Sequence, residues 1–315
     1  MFTTIYIPTR IQNDTASAIF ILKKYGREKF PGIENAKIEI RSVIPVGFTE
    51  EALEKEGIVL VDIGKGKFDH HGSEVQITST DLVCKFLGVI DNPALEKLRK
   101  YVERCDFFGK GIISNDPLDR AFGLPGLLIN LNKKHNSEPN SVYPIIAELF
   151  DAHVLEEEQR TVGLPKEVEE KTTAGLVDIF SLKHHGKNIK CIYIASDNIS
   201  LSGYLRSQMG GAYDVAIIHM STGHINIMTR PAKRVDLHAL IAVIRRSELM
   251  KRGDVKLYTN DLLSQTGRFD KVPQWYYDPA TNSLQNGGIN PGQIEKTVLS
   301  RKEIIELVKV GLGDR

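Results

Sequence analysis

Cysteine is scarce: the 315 residues hold three, Cys84, Cys105 and Cys191. They are widely spaced and odd in number, which excludes a disulfide framework and a CxxC zinc pattern. Charge of one sign is also missing, since 41 basic residues stand against 40 acidic ones for a net +1. No global basic field draws the chain onto nucleic acid or membrane, so any grip on a polyanion must be local. Long apolar runs are absent too. No stretch approaches the ~18 residues of a membrane span, and the opening "MFTTIYIPTR" has no long apolar h-region. No internal repeat or low-complexity tract is visible. These absences predict a cytoplasmic globular protein with reduced thiols. At 41% hydrophobic it has enough apolar residues for a substantial core, and it is long enough for two domains.

What is present alternates. "TTIYI" is a short β-rich run, and "DTASAIFILKKYG" reads as a helix closed by glycine. "AKIEIRSVI" predicts a strand, "EEALEKEG" a charged helix and "IVLVDIG" an apolar strand. "STDLVCKFLGVI" and "NPALEKLRKYVERCDFFG" read as two more helices, the first opened by Ser/Thr. Strands separated by helices predict an α/β fold with a mainly parallel sheet covered by helices on both faces. A mostly helical connector follows, from about Ser141 to Lys187. A smaller α/β domain then begins at "IKCIYIAS" and includes a hairpin at Thr222-Gly223. The expected division is residues 1–185 and 186–315, with 254–315 as a C-terminal extension of unassigned role.

The chemistry concentrates in "VLVDIGKGKFDHHGS". A second histidine pair, His184-His185, shows that adjacency by itself proves little. Asp62 leaves the sheet directly after a buried-type strand, where its ordinary role is to cap a turn. Asp14 opens a helix after a strand, where its ordinary role is an N-cap. Asp106 lies at a helix C-terminus, beside the negative end of the dipole. With the imidazole of His70, these three carboxylates form a donor set suited to octahedral Mn²⁺ or Mg²⁺.

The order of these elements resembles the DHH phosphoesterase superfamily, which includes RecJ-like exonucleases, oligoribonucleases, exopolyphosphatases and manganese pyrophosphatases. The likeness is carried by an Asp after the first strand, an Asp just upstream of the tripeptide, "FDHHGSEVQITSTDLVCKFLG", and an Asp after a helix. It covers roughly the first 110 residues and extends more loosely to 190–246. The resemblance implies that Asp14, Asp62, His70 and Asp106 hold one metal, with Asp62 bridging. It implies that Asp69 orients the loop from behind and that His71 faces the substrate phosphate. Asp62, Asp69, His70 and His71 would then form the catalytic set.

The sequence also departs from that pattern. The family's first motif, His-x-x-x-Asp-x-Asp, meets Pro8 and Gln12 here, so the second metal site lacks two ligands. The Gly-Gly-Gly-His phosphate grip has no counterpart, and "RRSELMKRG" stands about where it would belong. Arg230, Lys233 and Arg234 of "TRPAKR", with His219 or His224, are left as candidates for holding an anion; each reads equally as an ordinary surface or strand residue. Trp275, Tyr276 and Tyr277 could stack a base, but beside Pro273 and Pro279 they read better as packing. The leading expectation is a metal-dependent phosphohydrolase cleaving a phosphodiester or phosphoanhydride. Its partner would be a phosphate-containing small molecule or a short nucleic acid, with no membrane; a homodimer is left open. The alternative is a relative that binds a nucleotide or partner without turnover.

Overall fold

The β-rich run near the start forms β1 (Thr4–Ile7), and the small and apolar residues after it form α1 (Asn13–Tyr25), closed at Gly26. Then come β2 (Lys37–Ile40), α2 (Glu50–Lys55) and β3 (Ile58–Leu60). The three strands make an all-parallel sheet of order β2-β1-β3. The chain leaves β1 to one side and returns past it to the other. The C-terminal ends of β1 and β3 therefore flank a topological switch point, where open α/β sheets form ligand crevices. The helices α3 (Ser79–Leu87), α4 (Glu96–Phe108), α5 (Pro117–Phe122), α6 (Leu124–Lys134) and α7 (Pro139–Glu158) follow. Helix α1 is buried from Asp14 to Leu22 and packs against α3, α4 and α7. Its small residues Thr15 to Ala18 let α3 come close.

The computed structural model describes residues 1–44, 47–109, 114–288 and 290–314. The chain divides into two compact units, Met1–Thr161 and Val162–Arg315. Among the described residues no helix is long and apolar enough to cross a membrane.

The second unit contains α8 (Leu164–Thr173), β4 (Val177–His184), β5 (Lys187–Ala195), α9 (Leu201–Arg206), β6 (Val215–His219) and β7 (Ile225–Thr229). It continues with α10 (His238–Lys251), α11 (Asn260–Leu263), β8 (Gly267–Phe269), β9 (Val272–Asp278), β10 (Ser283–Asn286) and α12 (Arg301–Leu312). Its seven strands run in the order β4-β5-β6-β7-β10-β9-β8, with β5 and β6 as the parallel pair and the other neighbours antiparallel. The hairpin expected at Thr222-Gly223 joins β6 to β7.

Two expectations change here. The connector does not stay helical to Lys187, because "VDIFSLKH" forms β4, whose half-buried side chains alternate with exposed ones along most of the strand. The boundary expected at 185/186 falls inside the β4–β5 turn, where His184 stands opposite Lys187. His184-His185 is thus a turn element. The His184 ring bonds the Leu312 carbonyl and the Asp236 amide, and Asp314 accepts the amides of His185 and Gly186.

The C-terminal extension completes the second core. From α10, the fully buried Arg245 donates to the carbonyls of Leu263, Gln265, Gly267 and Trp275. One turn on, buried Glu248 accepts from Trp275 Nε1, Thr297 Oγ1, the Val298 amide and Arg252 Nε. Arg245 and Glu248 of "RRSELMKRG" therefore form an internal polar staple, and Trp275 and Tyr277 are core residues. Where α12 crosses α10, a Cβ on Gly311 would lie 2.6 Å from Leu240 Cα, a backbone atom that cannot yield locally. Gly311→Ala is expected to cost about 1–3 kcal/mol through overpacking, read as a lower midpoint in urea.

Candidate metal centre

Asp62 stands two residues beyond β3 with φ +61, an uncommon conformation for a residue with a side chain, though Asp tolerates it better than most. Its amide donates to the Phe68 carbonyl at 3.0 Å, closing the loop on itself. Phe68 is fully buried and packs edge-on against Phe30 and Phe86, so it pins the chain just before Asp69. The Lys67 amide bonds the Glu50 carboxylate, and Lys67 Nζ lies 2.6 Å from Glu54. An apolar anchor, an amide–carboxylate hydrogen bond and one ion pair thereby hold Asp-His-His over the switch point.

Asp14 is not the cap of its own helix; Gln12 occupies that position. Its carboxylate reaches the start of α3, taking the Ser79 and Thr80 amides at 2.8 Å each and the Thr80 hydroxyl at 2.7 Å. The positive end of that helix favours the charge. Asp62 accepts from the hydroxyls of Ser79, at 3.1 Å, and Thr15, at 3.3 Å. Thr78 supplies the cap of α3, leaving Ser79 and Thr80 free for these carboxylates. The sequence reading missed both. The signal was the run "TSTD", with more hydroxyls than one cap needs.

His70 lies among the three acids. Its Nε2 is 3.2 Å from Asp62 Oδ1 and 3.7 Å from Asp14 Oδ2, and its Nδ1 is 3.7 Å from Asp106 Oδ2. His71 Nδ1 is 3.3 Å from Asp62 and 2.8 Å from Asp69. Asp62, His70 and His71 form one group whose donor atoms all lie within 4.8 Å of one another, and Asp14, His70 and Asp106 form a second. Such spacings approach the ~3 Å edge of an octahedron with bonds of about 2.1–2.2 Å. The Asp69 oxygens accept the Lys65 and His71 amides, so this side chain shapes the loop. Arg230, Lys233 and Arg234 belong to the second unit. Lys233 and Arg234 are exposed, and none of the three makes an ion pair among the described residues. His219 is bonded to the Tyr193 hydroxyl, and both ring nitrogens of His224 are engaged, by Thr222 and the Ile294 carbonyl.

The electrostatics report a deficit of positive charge. Burial and the neighbouring Asp14 push the Asp62 carboxyl up to about 6, against the pull of His71 and His70. Burial and Asp14 raise Asp106 in the same way. Burial depresses His71, but its hydrogen bond to Asp69 and the charges of Asp62, Asp69 and Asp106 raise it overall. Asp69 is lowered because amide donors outweigh its burial. A carboxyl raised on folding binds its proton more tightly in the native state. Stability is then lost as pH climbs from the unfolded value near 3.8 through about 6. The raised His71 acts in the same direction. The metal-free protein is therefore expected to melt at lower temperature at pH 8 than at pH 5, as thermal denaturation in EDTA would record.

The donors fit a hard divalent cation. Asp14 and Asp106 group with His70, Asp62 groups with His70 and His71, two of the acids are almost wholly buried, and the acids carry more negative charge than the histidines offset. Pro8 and Gln12 offer no strong ligands for a second ion. No protein-family model and no curated protein matches the chain.

Proposed function

We propose that the first unit is the catalytic part of a metal-dependent phosphohydrolase acting on a phosphodiester or phosphoanhydride, with a fold of the DHH phosphoesterase type. The observation that carries this reading is the meeting of Asp14, Asp62 and Asp106, from three distant segments, around His70. Asp14, Asp62, His70 and Asp106 would hold Mn²⁺ or Mg²⁺. When bound, such an ion supplies Lewis acidity, lowering the pKa of water and offsetting charge on phosphoryl oxygens.

The chain's own residues do the rest. Asp69 fixes the His71 ring through Nδ1, which leaves Nε2 free to meet a phosphoryl oxygen or pass a proton. His71 is well exposed and its protonated form is favoured, as a group facing an anion requires. Ser79 and Thr15 orient the Asp62 carboxylate, and the α3 amides orient Asp14. Arg230, Lys233 and Arg234, cations of the second unit, remain our candidates for meeting phosphate.

Calorimetric titration with MnCl₂ is expected to show one saturable ion. Hydrolysis of bis-p-nitrophenyl phosphate or pyrophosphate should depend on that ion. Affinity should rise with pH between about 5 and 7, because Asp62 and Asp106 must shed protons to bind. Strong single-ion binding with neither substrate cleaved would instead favour the non-catalytic binder, the reading that the residues at Pro8 and Gln12 support.

A further inference from the structure

Strands β4 and β5 are joined by a two-residue turn, His185-Gly186, with φ of +49 and +74. Positive φ at both central positions is the mark of a type I′ turn, easy for glycine and uncommon for histidine. Asp314 holds it closed from outside. Its carboxylate accepts both turn amides, that of Gly186 at 2.8 Å, and its own amide donates to the Lys183 carbonyl at 2.8 Å. His184, half-buried at the base of the turn, joins two further segments. Its Nδ1 lies 2.8 Å from the carbonyl of Leu312, the last residue of α12, and the Asp236 amide donates to its Nε2 at 3.1 Å. An amide N–H can only donate, so Nε2 must carry the lone pair and Nδ1 the proton. Turning the ring over would set carbon against both partners, which fixes its orientation. Only the neutral imidazole satisfies both bonds.

Much of the surroundings nevertheless favours the cation. The Leu312 carbonyl belongs to the negative end of α12. Two carboxylates act on the ring, Asp236 ahead of α10 and Asp314 beyond α12. Against them stand other cations and imidazoles. The His185 ring lies against His184 with centroids 4.3 Å apart, Lys187 stands opposite in the ladder, and Lys183 precedes. From α10, His238 bonds the Asp236 carboxylate through its amide and its Nδ1, and its ring packs edge-on against Tyr277 of β9. Burial raises the Asp236 carboxyl, but the His238 amide and ring, with the charges of His238 and His184, lower it overall. The Gly186 amide, then that of His185 and the two imidazoles, lower Asp314. Both acids therefore stay ionised between pH 8 and 5, where imidazoles change charge.

We infer that His184 is a pH-sensitive latch: neutral, it clips the β4–β5 turn to the end of α12 and to the approach to α10; protonated, it releases the Asp236 amide and keeps α12. The added proton sits on Nε2 and sets an N–H against an N–H, so that contact must open. The Nδ1 bond to Leu312 is strengthened by the charge, and ionised Asp314 keeps the turn closed. Asp236 follows the exposed stretch Pro231–Arg234, whose last residue holds φ +44, so the freed side of the latch is the loop that carries Lys233 and Arg234. Val235, buried and bonded through its carbonyl to Asn282 Nδ2, stays as the pivot. The device is independent of the metal centre proposed above.

The test is NMR of the full chain with ¹⁵N-labelled histidine, together with amide hydrogen exchange. At pH 8 the His184 ring is expected to carry its proton on Nδ1 and none on Nε2. On titration to pH 5, Nε2 gains a proton and the Asp236 amide loses at least about tenfold of its protection, after correction for the intrinsic pH dependence of exchange. The Gly186 amide keeps its protection. His184→Gln offers a carbonyl and an amide without a titrating proton, so its Asp236 protection should not change between these pH values. His238→Gln should respond like the wild type. Circular dichroism melts show whether each variant is folded, and if His184→Gln is not, the wild-type tautomer and exchange decide. A proton on Nε2 at pH 8, or Asp236 protection that survives to pH 5, overturns the latch. So does a folded His184→Gln that keeps the pH response, or a folded His238→Gln that loses it.

Discussion

Asp62→Asn abolishes Mn²⁺-dependent hydrolysis and lowers Mn²⁺ affinity by at least about 100-fold, the expected result if Asp62 touches the ion. Loss of an outer partner of a metal site already costs about 10–100-fold, and loss of a ligand costs more. The substitution is local. Asn tolerates the φ of +61 at this position, and the Ser79 and Thr15 hydroxyls can rotate to meet an amide. It also removes the repulsion between Asp62 and Asp14 that helps raise the Asp62 carboxyl to about 6. In EDTA at pH 7.5 the variant should therefore be more stable than the parent, by on the order of 1–3 kcal/mol. For a unit of this size that raises the melting temperature by roughly 3–9 °C. Opposite signs for metal affinity and metal-free stability identify a site held under electrostatic strain for function. Wild-type Mn²⁺ affinity in Asp62→Asn would dismantle the proposed centre.

Arg245→Met gives the largest loss of stability expected in the second unit. The guanidinium is fully buried and serves four carbonyls from the α11 region, the start of β8 and β9. Burial draws it down to about 10, yet it remains charged at neutral pH. Methionine fills part of the volume but leaves all four acceptors without their donor. A loss of about 3–5 kcal/mol follows, with faster hydrogen exchange in β8 and β9. Arg245→Lys should recover only part, because one ammonium has three donors for four carbonyls. A melt of Arg245→Met that overlays the wild type would show that the staple is dispensable.

These two residues differ in how far they could be read from the chain alone. Asp62 follows an apolar run, and its neighbours His70 and His71 mark chemistry. The sequence could name Asp14, Asp62, His70 and Asp106 together because each stands where a local pattern changes. Arg245 is one cation in "RRSELMKRG", a stretch whose only mark in the sequence is that it stands about where a Gly-Gly-Gly-His grip would belong. Nothing local distinguishes a guanidinium that will be enclosed by carbonyls 18 to 30 residues further on. Ser79 and Thr80 were hidden for a related reason. The helix start was legible, but which of its hydroxyls would cap and which would reach Asp14 depends on where α1 lies.

Sequence alone determined the alternation of strands and helices in the first unit and the β6–β7 hairpin, and it singled out Asp14, Asp62 and Asp106, the three acids near His70. Those features rest on local rules: side-chain period, caps, and turns that need glycine. Only the tertiary structure decided that Asp14 bonds another helix and not its own, and that "VDIFSLKH" is an edge strand. It also decided that His184-His185 makes a turn. Each of these depends on what lies opposite a residue in space, and neither composition nor periodicity carries that information.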